Sequence, residues 1–127
     1  MRLNQVTVQA TEMERSVDFY LRLGLRQLVA SAHYARFVCP EGDSTFSVEK
    51  ADAARPGVVV YFECSDLDTY VATLRQRGIV FESDPVDQPW LWREVRCSDP
   101  DGNQICLYCA GPNRLQPPWA LDPPRQF

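Results

Sequence analysis

Residues 5 to 25, QVTVQATEMERSVDFYLRLGL, open with apolar and polar positions in alternation, then place apolar residues at Met13, Val17, Tyr20 and Leu21. A period of two belongs to a half-buried strand, and spacings of three and four belong to one face of a helix. The pattern therefore predicts a strand followed by a helix. Thr11 stands at the N-cap position with Glu14 three residues on, as in a capping box, and Gly24 stands where a helix ends in a left-handed residue. The same order recurs 54 residues later in VVYFECSDLDTYVATLRQRGI, residues 59 to 79. Val6 then meets Val60, Val8 meets Phe62, Thr11 meets Ser65, Met13 meets Leu67, Val17 meets Val71 and Gly24 meets Gly78.

Each copy continues into strand-like segments. LRQLVAS, HYARFVC and STFSVEK follow Gly24, the last two parted by Pro40-Glu41-Gly42-Asp43. IVFES, LWREVRC and QICLYC follow Gly78, the last two parted by Asp99-Pro100-Asp101-Gly102-Asn103. Pro100 and Gly102 suit the second and fourth positions of a type I turn. The reading is an α+β fold of two βαβββ modules, module one over residues 1–52 and module two over 56–110, within one domain over 1–110. Such a unit cannot bury both faces alone, so the two sheets should combine with helices outside and a cavity within. The segment 111–127 reads as an extended proline-rich arm, with Trp119 and Phe127 as residues able to dock.

Composition narrows the partners. The formal charge is -4, and no cluster of basic residues offers a footprint for nucleic acid or an anionic membrane. The longest apolar run, Val58 to Phe62, is far short of the roughly 18 to 20 residues that span a bilayer. The N-terminal MRLNQVTVQA lacks the apolar centre of a signal peptide, which points to the cytoplasm. Five cysteines, Cys39, Cys64, Cys97, Cys106 and Cys109, are then expected as reduced thiols.

The duplication, ERSVDFYLRLGL after the first strand and DPDGNQICLY near the end together resemble the vicinal oxygen chelate superfamily over residues 3 to 110. That superfamily includes glyoxalase I, extradiol dioxygenases, fosfomycin-resistance enzymes and bleomycin-resistance proteins. The resemblance implies cupped sheets around a cavity, usually within a dimer. In metal-dependent members it also implies a cation held from the first strand of each module and by carboxylates on the last strands. Those positions fall here on Gln5, Val59 and Cys106. In the last strand of module one, aligning the turns selects Phe46 and aligning the alternation selects Ser47, a slip that exchanges the faces of the strand. Ser47 is preferred, with Thr45 and Glu49 beside it on the cavity side. One amide, one thiol and one carboxylate are too few donors for a hard cation or for zinc, and the single histidine, His33, lies off these positions. No metal and no cofactor are expected.

Cys106 and Cys109 have C-x-x-C spacing, but residues three apart on a strand point to opposite faces, so a shared metal or disulfide is not expected. Cys106 would be a nucleophile only with a base nearby, and His33, Glu49 or Glu94 are the available groups. The anticipated cavity lining is Gln5 and Thr7, Val59 and Tyr61, and Cys106 and Tyr108, with Phe37, Trp90 and Trp92 at the rim. Gln5, His33, Ser47, Glu49 and Arg93 or Arg96 serve as polar handles. That lining suits a small, partly aromatic ligand, stacked on rings and oriented by hydrogen bonds. The leading reading is a metal-independent homodimer that sequesters or converts such a molecule. The alternatives are a divergent metal-dependent lyase, isomerase or dioxygenase, and a dimeric interaction module without a ligand.

Overall fold

A computed structural model of the chain describes residues 3–55, 57–121 and 123–125. Module one runs β1 (Gln5–Ala10), α1 (Met13–Leu23), β2 (Arg26–Ala30), β3 (Tyr34–Val38) and β4 (Thr45–Lys50). Module two runs β5 (Val59–Glu63), α2 (Leu67–Gln76), β6 (Val86–Asp87), β7 (Arg93–Ser98) and β8 (Gln104–Cys109). Each module forms a four-stranded mixed sheet, ordered β1-β4-β3-β2 in the first and β5-β8-β7-β6 in the second. The first and last strands pair in parallel, with Thr7 beside Ser47 and Tyr61 beside Cys106. This is the α+β arrangement of two βαβββ modules that the duplication implied.

Alternation sends Val8, Ala10, Phe46 and Val48 of the first sheet, and Ile105 and Leu107 of the second, into one core with both helices. Phe46 lies 4.4 Å from Tyr20 and 5.9 Å from Phe62, so the core crosses from one module to the other. Ser47 therefore takes the outward phase of β4, which settles the register in favour of the apolar alternation. Phe37 corrects the sequence reading. It is fully buried, 5.9 Å from the Tyr20 ring, because Ala35 and Phe37 share the inward phase of β3. It cannot line a cavity on the opposite face of its strand.

Helix entry also departs from expectation. The residues flanking the helices are Glu12 and Asp66, not Thr11 and Ser65, and Glu12 makes no side-chain cap bond. Asp66 accepts a hydrogen bond from the Thr69 N–H at 3.4 Å. Thr11 instead donates its backbone N–H (3.0 Å) and its hydroxyl (2.5 Å) to Oδ1 of Asp101, in the β7–β8 turn of the other module. The Ser16 hydroxyl donates to Oδ2 of the same carboxylate at 3.3 Å, and Arg15 lies 3.6 Å from Oδ1. A carboxylate delivered by packing thus does what the local Glu14 was expected to do, with its negative charge at the positive end of α1.

Asp99 completes the junction. It accepts from the buried Tyr20 hydroxyl at 2.7 Å and from the Asn103 side chain at 2.7 Å, while Asn103 donates to the Gln9 carbonyl at 2.9 Å. The turn itself closes through Gly102 N–H to the Asp99 carbonyl, 3.0 Å, with Gly102 at φ 84°. At the other end of α1, Gly24 has φ 109°, and a Cβ there would collide with the Tyr70 hydroxyl, which donates to the Leu23 carbonyl at 2.5 Å.

IVFES does not form a strand. Ile79 packs into the core, Val80 is exposed, and only Glu82 joins the ladder, its N–H reaching the Arg96 carbonyl at 2.9 Å. Arg75 holds the segment through the Ser83 carbonyl at 3.0 Å and Asp84 at 2.8 Å, and Pro85 delays pairing until Val86. The arm begins with a 3-10 turn, Gly111–Arg114, placed by Trp92 Nε1 donating to the Asn113 carbonyl at 3.5 Å and by Arg114 at 3.7 Å from Glu63. Trp119 is 58% exposed and is not docked; Phe127 lies outside the described residues.

Replacing Asp101 with alanine strands the Thr11 N–H and removes a charge-assisted bond, which should cost about 2 kcal/mol. Tyr20→Phe should cost about 1 kcal/mol through the lost bond to Asp99. Urea denaturation measures both; a loss near zero for Asp101→Ala would contradict the assigned role of the turn.

Candidate functional site

Because the helix-side faces of both sheets meet in the core, their opposite faces point away from it. On the first sheet that face carries Gln5, Thr7 and Gln9 of β1, Ser47 and Glu49 of β4, and Tyr34 and Arg36 of β3, all in one phase of the registers. Thr7 and the buried Ser47 share a 2.6 Å hydrogen bond, and Gln5 Nε2 lies 3.5 Å from Ser47 Oγ. Arg36 Nε donates to the Tyr34 hydroxyl at 3.0 Å. Hydrogen bonds from Ser47 and Arg36 hold the Tyr34 phenol below its ordinary pKa. Gln9 Oε1 is buried with no hydrogen-bond partner among the described residues. Glu49 is exposed beside Tyr34.

The corresponding face of the second sheet is aromatic. Trp92 stacks on Tyr108 with ring centroids 4.4 Å apart and planes 17° apart. Tyr61 stands edge-on to both, at 6.0 and 5.9 Å. Val59, Cys106 and Ala110 pack with this group. Beside the rings lies Glu94, only 5% exposed, which accepts from Trp90 Nε1 at 3.4 Å and from the Cys106 thiol at 3.7 Å. Arg96 lies 3.8 Å from Glu94 and donates to the Tyr61 hydroxyl at 3.3 Å. Arg93 belongs to the other face, paired with Asp68 at 2.8 Å and Asp87 at 3.1 Å.

The anticipated residues therefore form two groups: Gln5, Thr7, Ser47 and Glu49 on one sheet, and Val59, Tyr61, Trp90, Trp92, Cys106 and Tyr108 on the other. Among the described residues no hydrogen bond or ring contact joins one group to the other. His33 joins neither; it sits exposed in the β2–β3 turn, where its carbonyl accepts from the Lys50 N–H at 2.9 Å. Tyr34, Arg36 and Gln9 were not anticipated. Once Ser47 is placed outward, its β3 neighbour Arg36 follows on the same face, and that pairing is the signal that could have found them. A recess of about 150 Å³ opens beside Glu94 and Arg96. A larger groove of about 980 Å³ runs between the modules and reaches the aromatic group only at Tyr61.

The donor set does not fit a resident cation. The four positions that would hold one carry an amide, a hydroxyl, a valine and a thiol, divided between two faces. Among the described residues no three His, Cys, Asp or Glu side chains are gathered to hold a metal. Nor is Cys106 a ready nucleophile: burial first, and then the Glu94 carboxylate, push its pKa up to about 12. Cys109 lies on the opposite face, its thiol directed at the Ser65 carbonyl, 3.9 Å away.

The family model described as Glyoxalase/Bleomycin resistance protein/Dioxygenase superfamily matches residues 2–107. The chain belongs to this superfamily. Among solved structures, a glyoxalase/bleomycin resistance protein/dioxygenase from Nocardioides has 24% identity and a TM-score of 0.75, over 95% of this chain and 89% of its own. A bleomycin resistance determinant encoded on the transposon Tn5 shows 18% identity and a TM-score of 0.73, over 87% and 99%. A bleomycin-binding protein complexed with bleomycin shows 18% and 0.70, over 86% and 98%. No curated protein matches the chain. For this superfamily member no helix among the described residues is long and apolar enough to cross a membrane.

The thiols give a pH dependence with a definite sign. Burial raises Cys64, Cys97 and Cys106 from 9.0 to about 12 in the folded chain, so between those values the unfolded state has lost protons that the folded state keeps. The urea midpoint should hold below pH 9 and fall as pH rises toward 12. Iodoacetamide at pH 8 should leave Cys106 unmodified in the folded protein; rapid labelling there would contradict the inert thiol.

Proposed function

We propose that this superfamily member binds a small, partly aromatic organic molecule without a metal cofactor, either sequestering or converting it, and does so as a homodimer. The observation that carries this reading is the stacked Trp92–Tyr108 pair with Tyr61 edge-on, set beside the buried Glu94 and Arg96. Trp92 and Tyr61, backed by the buried Tyr108, offer a flat ligand stacking area at little entropic cost, and a carboxylate with a guanidinium beside it orients the ligand's polar groups. Tyr61, Trp90 and Leu91 are 45%, 43% and 47% exposed, an apolar surface that a ligand or a second chain would cover.

The polar group on the first sheet supplies the other half of this reading. Within one chain it is not joined to the rings, whereas a second copy could set its Gln5, Thr7, Ser47 and Arg36 over them. The fold-level neighbour solved with bleomycin supports a ligand-binding role for this architecture. A binding or proton-transfer role for Tyr34, whose pKa is lowered, suits conversion as well as sequestration.

Tryptophan fluorescence of EDTA-dialysed protein, titrated with a panel of planar heteroaromatic compounds, tests the reading. At least one compound should quench saturably and stabilise the fold, by about 2.7 kcal/mol at a hundredfold excess over Kd. Trp92→Ala should weaken it about tenfold. Binding that appears only after adding Mn, Ni or Zn would favour the metal-dependent reading instead.

A further inference from the structure

The repeat makes two junctions, each where the turn before a module's last strand approaches the other module's helix. Strand pairing sets Cys39-Pro40-Glu41-Gly42 in the place of Asp99-Pro100-Asp101-Gly102, and the offset sets Ser65 for Thr11, Tyr70 for Ser16 and Leu74 for Tyr20. The second-module turn is sealed by carboxylates against hydroxyls. Its counterpart loses the Asp99–Tyr20 half of that seal, because Cys39 replaces the accepting Asp99 and the fully buried Leu74 replaces the donating Tyr20. Tyr70 turns instead to the Leu23 carbonyl. The unsealed junction is the groove of about 980 Å³, bounded by Pro40, Glu41 and Gly42 on one side and by Ser65, Asp66 and Thr69 on the other.

Its chemistry is specific. Leu23, Leu25, Phe62 and Leu107 give it an apolar side, and Tyr61 and Tyr70 add ring faces. Glu41, Glu63 and Asp66 are its charged lining, and among the described residues no basic side chain lines it. Arg114 reaches Glu63 at 3.7 Å from outside that lining. The Cys39 and Cys64 thiols there are raised by burial, so they add no anion at neutral pH and no reactive thiolate. Three carboxylates beside hydrocarbon and phenol rings complement a positive charge carried on an apolar body.

We propose that this groove binds an amphipathic organic cation, an amine or quaternary ammonium on a hydrocarbon or aryl group. The charge faces Glu41, Glu63 and Asp66, and the apolar body lies along Leu25, Phe62 and the rings. The site is distinct from the Trp92–Tyr108 face and touches it only through Tyr61, so the two readings fail independently.

The experiment is a titration of the intact 15N-labelled protein with hexylammonium chloride at low ionic strength, followed by amide chemical shifts, with hexanoate and hexanol in parallel. Hexylammonium should give saturable shifts at Leu25, Gly42, Ser65 and Thr69, stronger than hexanol and absent with hexanoate. Glu41→Gln with Glu63→Gln should weaken binding about fivefold or more. Thr69→Lys, which keeps the carboxylates and places a cation at the groove wall, should abolish it, and Trp92→Ala should leave it unchanged. Equal shifts from hexanoate or hexanol would overturn the proposal. So would shifts confined to the sheet faces, or no saturable shift with hexylammonium.

Discussion

The hydrogen bonds of the Asp99–Asn103 turn to α1 and β1 are the constraint on which the rest depends. Asp101 caps the start of α1 from outside its own module, Asp99 satisfies the buried Tyr20 hydroxyl, and Asn103 takes up the Gln9 carbonyl. The Tyr20, Asp99, Asp101 and Asn103 side chains of that junction are each hydrogen-bonded, which offsets the cost of burying them. With the turn in place, Tyr20 is fixed against Phe37 and Phe46, and Phe46 against Phe62, in one continuous core.

Joining the modules through their helix-side faces has a functional consequence. It sends the two opposite sheet faces outward, one carrying the Thr7–Ser47–Arg36 polar group and the other the Tyr61–Trp92–Tyr108 rings. The positions from which the resemblance implied a cation would be held carry Val59 and Cys106 on the second sheet, and Cys106 instead donates a hydrogen bond to Glu94 at 3.7 Å. What remains on the second sheet is a stacked aromatic group beside one charged pair, with no cluster of three metal-ligating side chains among the described residues.

Much of this was legible in the chain. Gly24 and Gly78 end or follow helices at positive φ, the Asp99–Gly102 turn forms, and the alternation in STFSVEK placed Ser47 outward. The features that escaped have a common cause. A capping box is a local pattern, whereas Asp101 reaches Thr11 across 90 residues, and nothing in the local sequence announces it. HYARFVC alternates in either phase; only its pairing with β4 decides that Phe37 is core and Arg36 is surface. IVFES has strand composition, but Arg75 and Pro85 take its backbone away from the ladder. The division of the anticipated lining into two faces follows from how the modules join, which strand patterns alone do not encode.

The proposed binding cavity combines the polar face of one chain with the aromatic face of another. Two chains with complementary defects test it most directly: Thr7→Arg, which blocks the polar face with a bulky charge, and Trp92→Ala, which removes the stacking ring. Each variant alone should bind a planar ligand poorly. After subunit exchange, the mixed dimer should regain sites of wild-type affinity, because one of its cavities combines two intact faces. No recovery in a mixture shown to contain mixed dimers would contradict the account and place the site within a single chain.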